Sequence, residues 1–195
     1  MRVSEFNIKE VKQEKVNNMV DMIVSEFFKS GKESVTIVCI GTDKCIGDCL
    51  GPMVGTLLEQ CGTDNVCGTL EYPIHAINIP VRLPEIKHQY KNSFIIAVDA
   101  CLGDVSEIGN INLRDVPIRP GKGVGKTLES IGQMSIVGIV DDKDSNVDSF
   151  VQRPIRMGFV WDLALKVTSV IVQAINIIKE MQLSEVAFSK EEENI

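Results

Sequence analysis

The feature that most constrains this chain is a short apolar run, Val35 to Ile40, emptying into Gly41-Thr42-Asp43-Lys44-Cys45-Ile46-Gly47-Asp48-Cys49-Leu50-Gly51-Pro52. Beyond the loop, Met53, Val54, Leu57, Leu58 and Cys61 recur at helical spacing. A strand therefore ends in a glycine-rich loop bearing acids, and a helix leaves it. In open α/β sheets the loops past the carboxyl ends of the strands line the binding crevice. A second apolar run, Phe94 to Val98, ends at another acid, Asp99. Function turns on whether Asp48 and Asp99 share one site.

The remaining pattern extends the same architecture. Residues Val11 to Lys29 read as an amphipathic helix, with Gly31 as its stop signal. Pro52 suits a first helical position, where a missing N–H costs nothing. A second strand is expected over Val66 to Leu70, and Pro80 and Pro84 should interrupt any helix between Ile74 and Tyr90. Ile108 to Leu113 alternates like an exposed edge strand, and Ser135 to Val140 reads as a buried strand ending at Asp141-Asp142. A long apolar helix should span Ile155 to Met181. The alternation predicts one three-layer α/β/α domain over residues 1–195 with a mostly parallel, twisted sheet, its ends (1–10 and 185–195) frayed.

Composition narrows the function classes. A net charge of −7 without a basic stripe excludes a nucleic-acid face. No signal peptide opens the sequence, and the uncharged stretch Val167 to Ile178 is too short to span a bilayer, so a cytoplasmic protein without a membrane partner is expected. Its six cysteines are then expected as reduced thiols. The Cys45-x3-Cys49 pair with Cys101 lacks the paired spacing of common structural zinc sites.

Two aspartates brought close cannot both ionise easily, so one keeps a proton while the other acts as base. Such a pair can activate water against a peptide carbonyl and protonate the departing amine. The same pair could instead hold a divalent cation through oxygen ligands. Against both stands the plain alternative in which Asp48 caps the following helix and Asp99 organises a turn. Asp43 reads as a turn former at the mouth of the crevice, and His75, just past the second strand, could reach it. The segment Gly121-Lys122-Gly123-Val124-Gly125-Lys126-Thr127 ends like a phosphate loop, but Pro120 stands where the first required glycine belongs. Gly121, Gly123 and Gly125 fit better as a substrate-lining loop, and a nucleotide-dependent switch on Lys126 and Thr127 is the weakest alternative.

Several of these patches resemble one family. Ile40-Gly41-Thr42-Asp43, Gly47-Asp48-Cys49-Leu50-Gly51-Pro52, Gly68 to Asn78, Ile95 to Gly103, Arg119 to Lys126 and Gly138-Ile139-Val140 resemble the sporulation protein YyaC family, in order across the chain. That family is similar to the spore germination protease, an aspartic-type endopeptidase. The shared patches are Asp48-x-Leu50-Gly51-Pro52, Asp99-Ala100 and Pro120-Gly121-x-Gly123-Val124-Gly125. The resemblance implies Asp48 and Asp99 as the catalytic pair; Asp43, His75, Gly121, Gly123 and Gly125, from their places in the sequence, are expected to bind substrate beside it. The resemblance also implies the fold of hydrogenase maturation proteases, which is phosphorylase/hydrolase-like, although their metal-binding histidine has no counterpart identified here.

The resulting expectation is a sporulation- or germination-associated endopeptidase of the forespore or spore core, acting on a peptide or protein. It would require no cofactor, with a divalent metal at Asp48 and Asp99 the variant. The alternative is a non-enzymatic peptide- or metal-binding protein using the same crevice. A homodimer through the apolar C-terminal helix is a further expectation.

Overall fold

A computed structural model describes residues 13–120, 129–144 and 153–192, with side chains throughout except at 186 and 188–192. Helix α1 (Gln13–Ser30) buries Val16, Met19, Val20, Ile23 and Phe27 along one stripe. Gly31 follows it at φ +64°, the left-handed conformation that ends helices. Strand β1 (Ser34–Cys39) leads through a 3-10 turn at Ile46–Asp48 into α2 (Leu50–Gln60). Next come β2 (Val66–Cys67), α3 (Ile79–Gln89), β3 (Ser93–Gly103), β4 (Ile111–Arg114), β5 (Met134–Asp142) and α4 (Met157–Glu192).

The strands form one sheet in the order β2-β1-β3-β5-β4. All neighbours are parallel except the antiparallel edge strand β4. One face is covered by α1, α2 and α4, whose buried side chains join Ile37, Cys39, Phe94, Ile96 and Val98 in one core. The other face carries α3, whose Ile79, Leu83 and Ile86 pack on Val38, Ile40, Ile95 and Ala97. This is the expected three-layer α/β/α sandwich.

Local expectations are corrected at several points. Helix α2 begins two residues before Pro52, which therefore occupies the third helical position, still among the N–H groups that lack intrahelical partners. The second strand stops at Cys67, because Gly68 turns away at φ +93°. Pro84 lies inside α3 without ending it. The missing hydrogen bond is outweighed by burial of Ile79, Leu83 and Ile86, each 1–2% exposed. Finally, β3 continues five residues past Val98, held by β5 as far as Gly103. Asp99 is therefore inside a strand and not at its end.

Helix α4 reaches Glu192 rather than stopping near Met181. Its Met157–Glu185 portion is long and apolar enough to cross a membrane by length and composition, yet half of that window is buried inside the domain. Val160, Leu163, Ala164, Val167, Val170, Ile171 and Ala174 show at most 1% exposure. Its apolar character thus serves the domain core.

Candidate functional site

Strand order sets the location. The chain leaves β1 toward β2 on one side and returns to pair β3 with β1 on the other. Connections diverge between β1 and β3, and a crevice opens at the carboxyl ends of such a pair. Asp48 follows β1, while Asp99 lies one residue beyond the last β1–β3 pair, Cys39 with Val98.

The β1 end is clamped on both sides. The Ile40 N–H donates to the Val98 carbonyl and the Gly41 N–H to the Ile74 carbonyl, each at 2.7 Å. Gly41 has φ +141°, and a Cβ there would run into the Asp48 carbonyl oxygen. The loop then closes on itself, the Thr42 N–H donating to that carbonyl at 3.0 Å. A Cβ on Gly51 would collide with the Ile40 carbonyl, so this glycine lets the start of α2 press against the end of β1. Two glycines thus fix the backbone on either side of Asp48.

Asp48 does not cap α2. The capping position is Cys49, and no side chain caps the helix. The Asp48 carboxyl is half-buried, and burial pushes its pKa up to about 6 against the opposing pull of the Thr42 backbone N–H. Asp99 points to the same sheet face as Ile95 and Ala97, by strand alternation. It is enclosed by a dense shell of protein atoms but keeps a solvent-facing edge. Burial raises its pKa well above the ordinary carboxylate range, and the nearby Asp48 charge raises it further. One Asp99 carboxylate oxygen accepts the Ala100 N–H at 2.8 Å. No lysine or arginine among the described residues is seen to offset either charge. Asp48 therefore gives up its proton first, and its charge then holds the proton on Asp99. The titration belongs to the pair.

The other expected site residues divide. Asp43 is exposed on the loop tip, with its carboxylate 3.5 Å from the Thr42 hydroxyl. His75 directly follows Ile74, which bridges to Ile40, so its backbone belongs to the same sheet edge. Its N–H donates to Asn78 Oδ1 at 2.9 Å and its Nδ1 accepts the Ile77 N–H at 3.3 Å. That imidazole organises the turn into α3. Gly121, Gly123 and Gly125, with the phosphate-loop-like Lys126 and Thr127, lie outside the described residues. Only the base of their loop is described, an antiparallel bridge between Ile118 and Ile131.

Thiol and metal chemistry find little support. Cys45 and Cys49 are 8% and 3% exposed, and burial followed by the charges of Asp43, Asp48 and Cys45 pushes the Cys49 thiol up to about 11. A thiol so protonated is a poor nucleophile and metal ligand. Among the described residues no group of three or more His, Cys, Asp or Glu side chains is placed to hold a metal ion. Asp48 and Asp99 would supply two oxygen ligands, without a third protein donor among the described residues.

One charged residue at this sheet edge escaped the sequence reading. Arg153, 8% exposed, donates to Asp141 Oδ2 at 2.8 Å and to the Asp142 carbonyl at 2.7 Å. It fastens the entry to α4 onto the carboxyl end of β5 and holds the Asp141 carboxyl below its usual range. The legible signal was Asp141-Asp142 at a strand end, with an arginine shortly before the long apolar helix.

The family described as "Protein of unknown function (DUF1256)" matches residues 7–171. The chain belongs to that family. A relative, "Uncharacterized protein YyaC" of Bacillus subtilis (strain 168), is 39% identical over 145 residues, covering 73% of this DUF1256 chain and 70% of the relative. The resemblance carried by the sequence patches is thus borne out. A solved structure, the [NiFe] hydrogenase maturation protease HycI from Thermococcus kodakarensis KOD1, is similar over 79% of the DUF1256 chain and 99% of its own, with 17% identity and a TM-score of 0.49.

Proposed function

We propose that this protein is an endopeptidase in which Asp48 and Asp99 together activate water against a peptide carbonyl. The carrying observation is the pair itself: two carboxyls where β1 ends beside β3, with the charge of one raising the pKa of the other. Asp48, ionised first, takes a proton from water; Asp99, still protonated, delivers one to the departing amine. The bond formed is carbon to the water oxygen, and the bond broken is the amide C–N. Proton bookkeeping closes within the pair, so no metal is required. The acid limb of the rate profile should fall near pH 6, where Asp48 titrates. The rate should fall again at higher pH as Asp99 loses its proton. The sporulation or germination setting, with a spore-protein substrate in the forespore or spore core, belongs to the same proposal and rests on the patches shared with the spore germination protease.

The test is a peptide-library cleavage screen with the full chain and its Asp48→Asn and Asp99→Asn variants. Cleavage by the parent, unaffected by a chelator and lost in both variants while they remain folded, supports the reading. Equal cleavage by both Asn variants defeats it. A second reading, a peptide- or cation-binding protein without turnover, draws on the pair of carboxyls having no offsetting cation among the described residues. Saturable divalent-metal binding that disappears in both variants, with no cleavage by the parent, would favour it.

A further inference from the structure

Strand β3 outruns its neighbour on one side only. Its ladder with β1 ends where Cys39 stands opposite Val98, with one further bond from the Ile40 N–H to the Val98 carbonyl. Past that point the Gly41 N–H turns to Ile74 and the Thr42 N–H to the Asp48 carbonyl, so the chain leaves the ladder. On the other side β5 follows β3 as far as Gly103.

Successive residues of a strand send their N–H and C=O groups to opposite edges. The Val98 carbonyl meets Ile40 on the β1 side, and the Gly103 carbonyl meets the Lys143 N–H on the β5 side. Ala100 and Leu102 therefore face the edge that β1 has left. The Ala100 N–H is taken by Asp99 Oδ1. The Ala100 carbonyl and both backbone groups of Leu102 have no hydrogen bond among the described residues. Cys101 and Leu102 are only half-buried. An unpaired edge of this kind is a template for an added strand.

What the edge adjoins identifies its occupant. It begins one residue past Asp99, and the turn carrying Asp48, Ile46–Asp48, packs against β3. A polypeptide presented to both carboxyls passes along this edge, and an extended one supplies the alternating N–H and C=O groups that the edge lacks. We propose that the substrate of the aspartate pair is an extended, unfolded peptide segment, held as an added strand on the 100–102 edge of β3. The Leu102 N–H and carbonyl and the Ala100 carbonyl bond its main chain. The peptide carbonyl that a regular ladder would give to the Ala100 N–H finds that donor bound to Asp99, and so lies beside the Asp99 carboxyl. Recognition through the main chain admits many sequences and excludes helices and tight turns. This rests on the peptidase reading of the pair and adds how its substrate is held.

The probe is fluorescein-labelled oxidised insulin B chain, an unfolded polypeptide, titrated by fluorescence anisotropy against the full chain carrying Asp48→Asn. Amide hydrogen exchange is then measured with and without the probe. Saturable binding is expected, with the Leu102 amide exchanging fast in the free protein and protected in the complex. The Cys101 amide, turned toward β5, should be slow in both. Leu102→Pro removes an N–H from an open edge, where proline is tolerated. It should weaken binding about tenfold, the worth of one hydrogen bond, and circular dichroism checks its fold. The exchange measurement needs no substitution at position 102, so it decides the matter even if that variant misfolds. Cleavage of the B chain by the parent, without Leu102 protection in the complex, would overturn the added strand and leave the catalytic pair standing. Leu102 protection without cleavage by the parent would support the strand site and remove the catalysis. No saturable binding, or a Leu102 amide already protected in the free protein, would overturn the proposal.

Discussion

Replacing Asp48 by Asn should stabilise the protein at neutral pH while leaving acid stability unchanged. The carboxyl titrates near 4 when the chain is unfolded and at about 6 when folded. The folded state thus holds this proton more tightly than the unfolded state. Below pH 4 both states are protonated and the site carries no penalty. As pH rises through that window, folding stability falls, and the full penalty is present above pH 6. A shift of roughly two units, at about 1.4 kcal/mol each, amounts to about 3 kcal/mol. An Asn cannot ionise, and the Thr42 N–H keeps its bond to the backbone carbonyl of residue 48. The variant should therefore gain about 2–3 kcal/mol at pH 8, or about 4–12 °C in Tm for a chain of this size. Urea unfolding followed by Trp161 fluorescence at pH 4 and pH 8 gives the comparison. A variant no more stable than the parent at pH 8, or one equally stabilised at pH 4, would refute the buried-charge reasoning.

Gly51→Ala should lower stability by at least about 3 kcal/mol despite the better helix propensity of alanine, since the new methyl meets backbone at Ile40. The midpoint of urea unfolding reads this directly, and a neutral result would mean that α2 and β1 can separate freely. Arg153→Met should cost about 2–3 kcal/mol at pH 7, less than a fully buried pair because Asp141 retains 28% side-chain exposure. Asp141 is held below its usual range, so its contribution is present above about pH 4 and lost as pH falls. The gap between parent and variant should narrow in acid unfolding.

The sheet was legible because parallel strands covered on both faces read as continuous apolar runs, and both Val35–Ile40 and Phe94–Val98 are of that kind. The site was legible in part for a related reason: an acid at the end of such a run has few other places to go. Two features were hidden. Pro84 sits within α3 because the sheet contacts of Leu83 and Ile86 override its local preference, and those contacts join residues distant in sequence. Asp99 inside β3 was hidden likewise, since the strand is prolonged by β5 through an irregular register in which Cys101 faces Ile139 but Leu102 faces Asp141. Nothing local to Asp99 specifies that extension. Arg153 escaped because its partner precedes it by twelve residues and only the closing of β5 onto α4 brings them together.

The central claim is that Asp48 and Asp99 share a crevice and a proton, and carbon-13 NMR titration of their side-chain carboxyls tests it most directly. The account predicts that Asp48 titrates near pH 6, that Asp99 ionises only at higher pH, and that Asp48→Asn shifts the Asp99 transition downward. Independent transitions near pH 4 for both carboxyls, with Asp99 indifferent to the Asp48→Asn change, would contradict it.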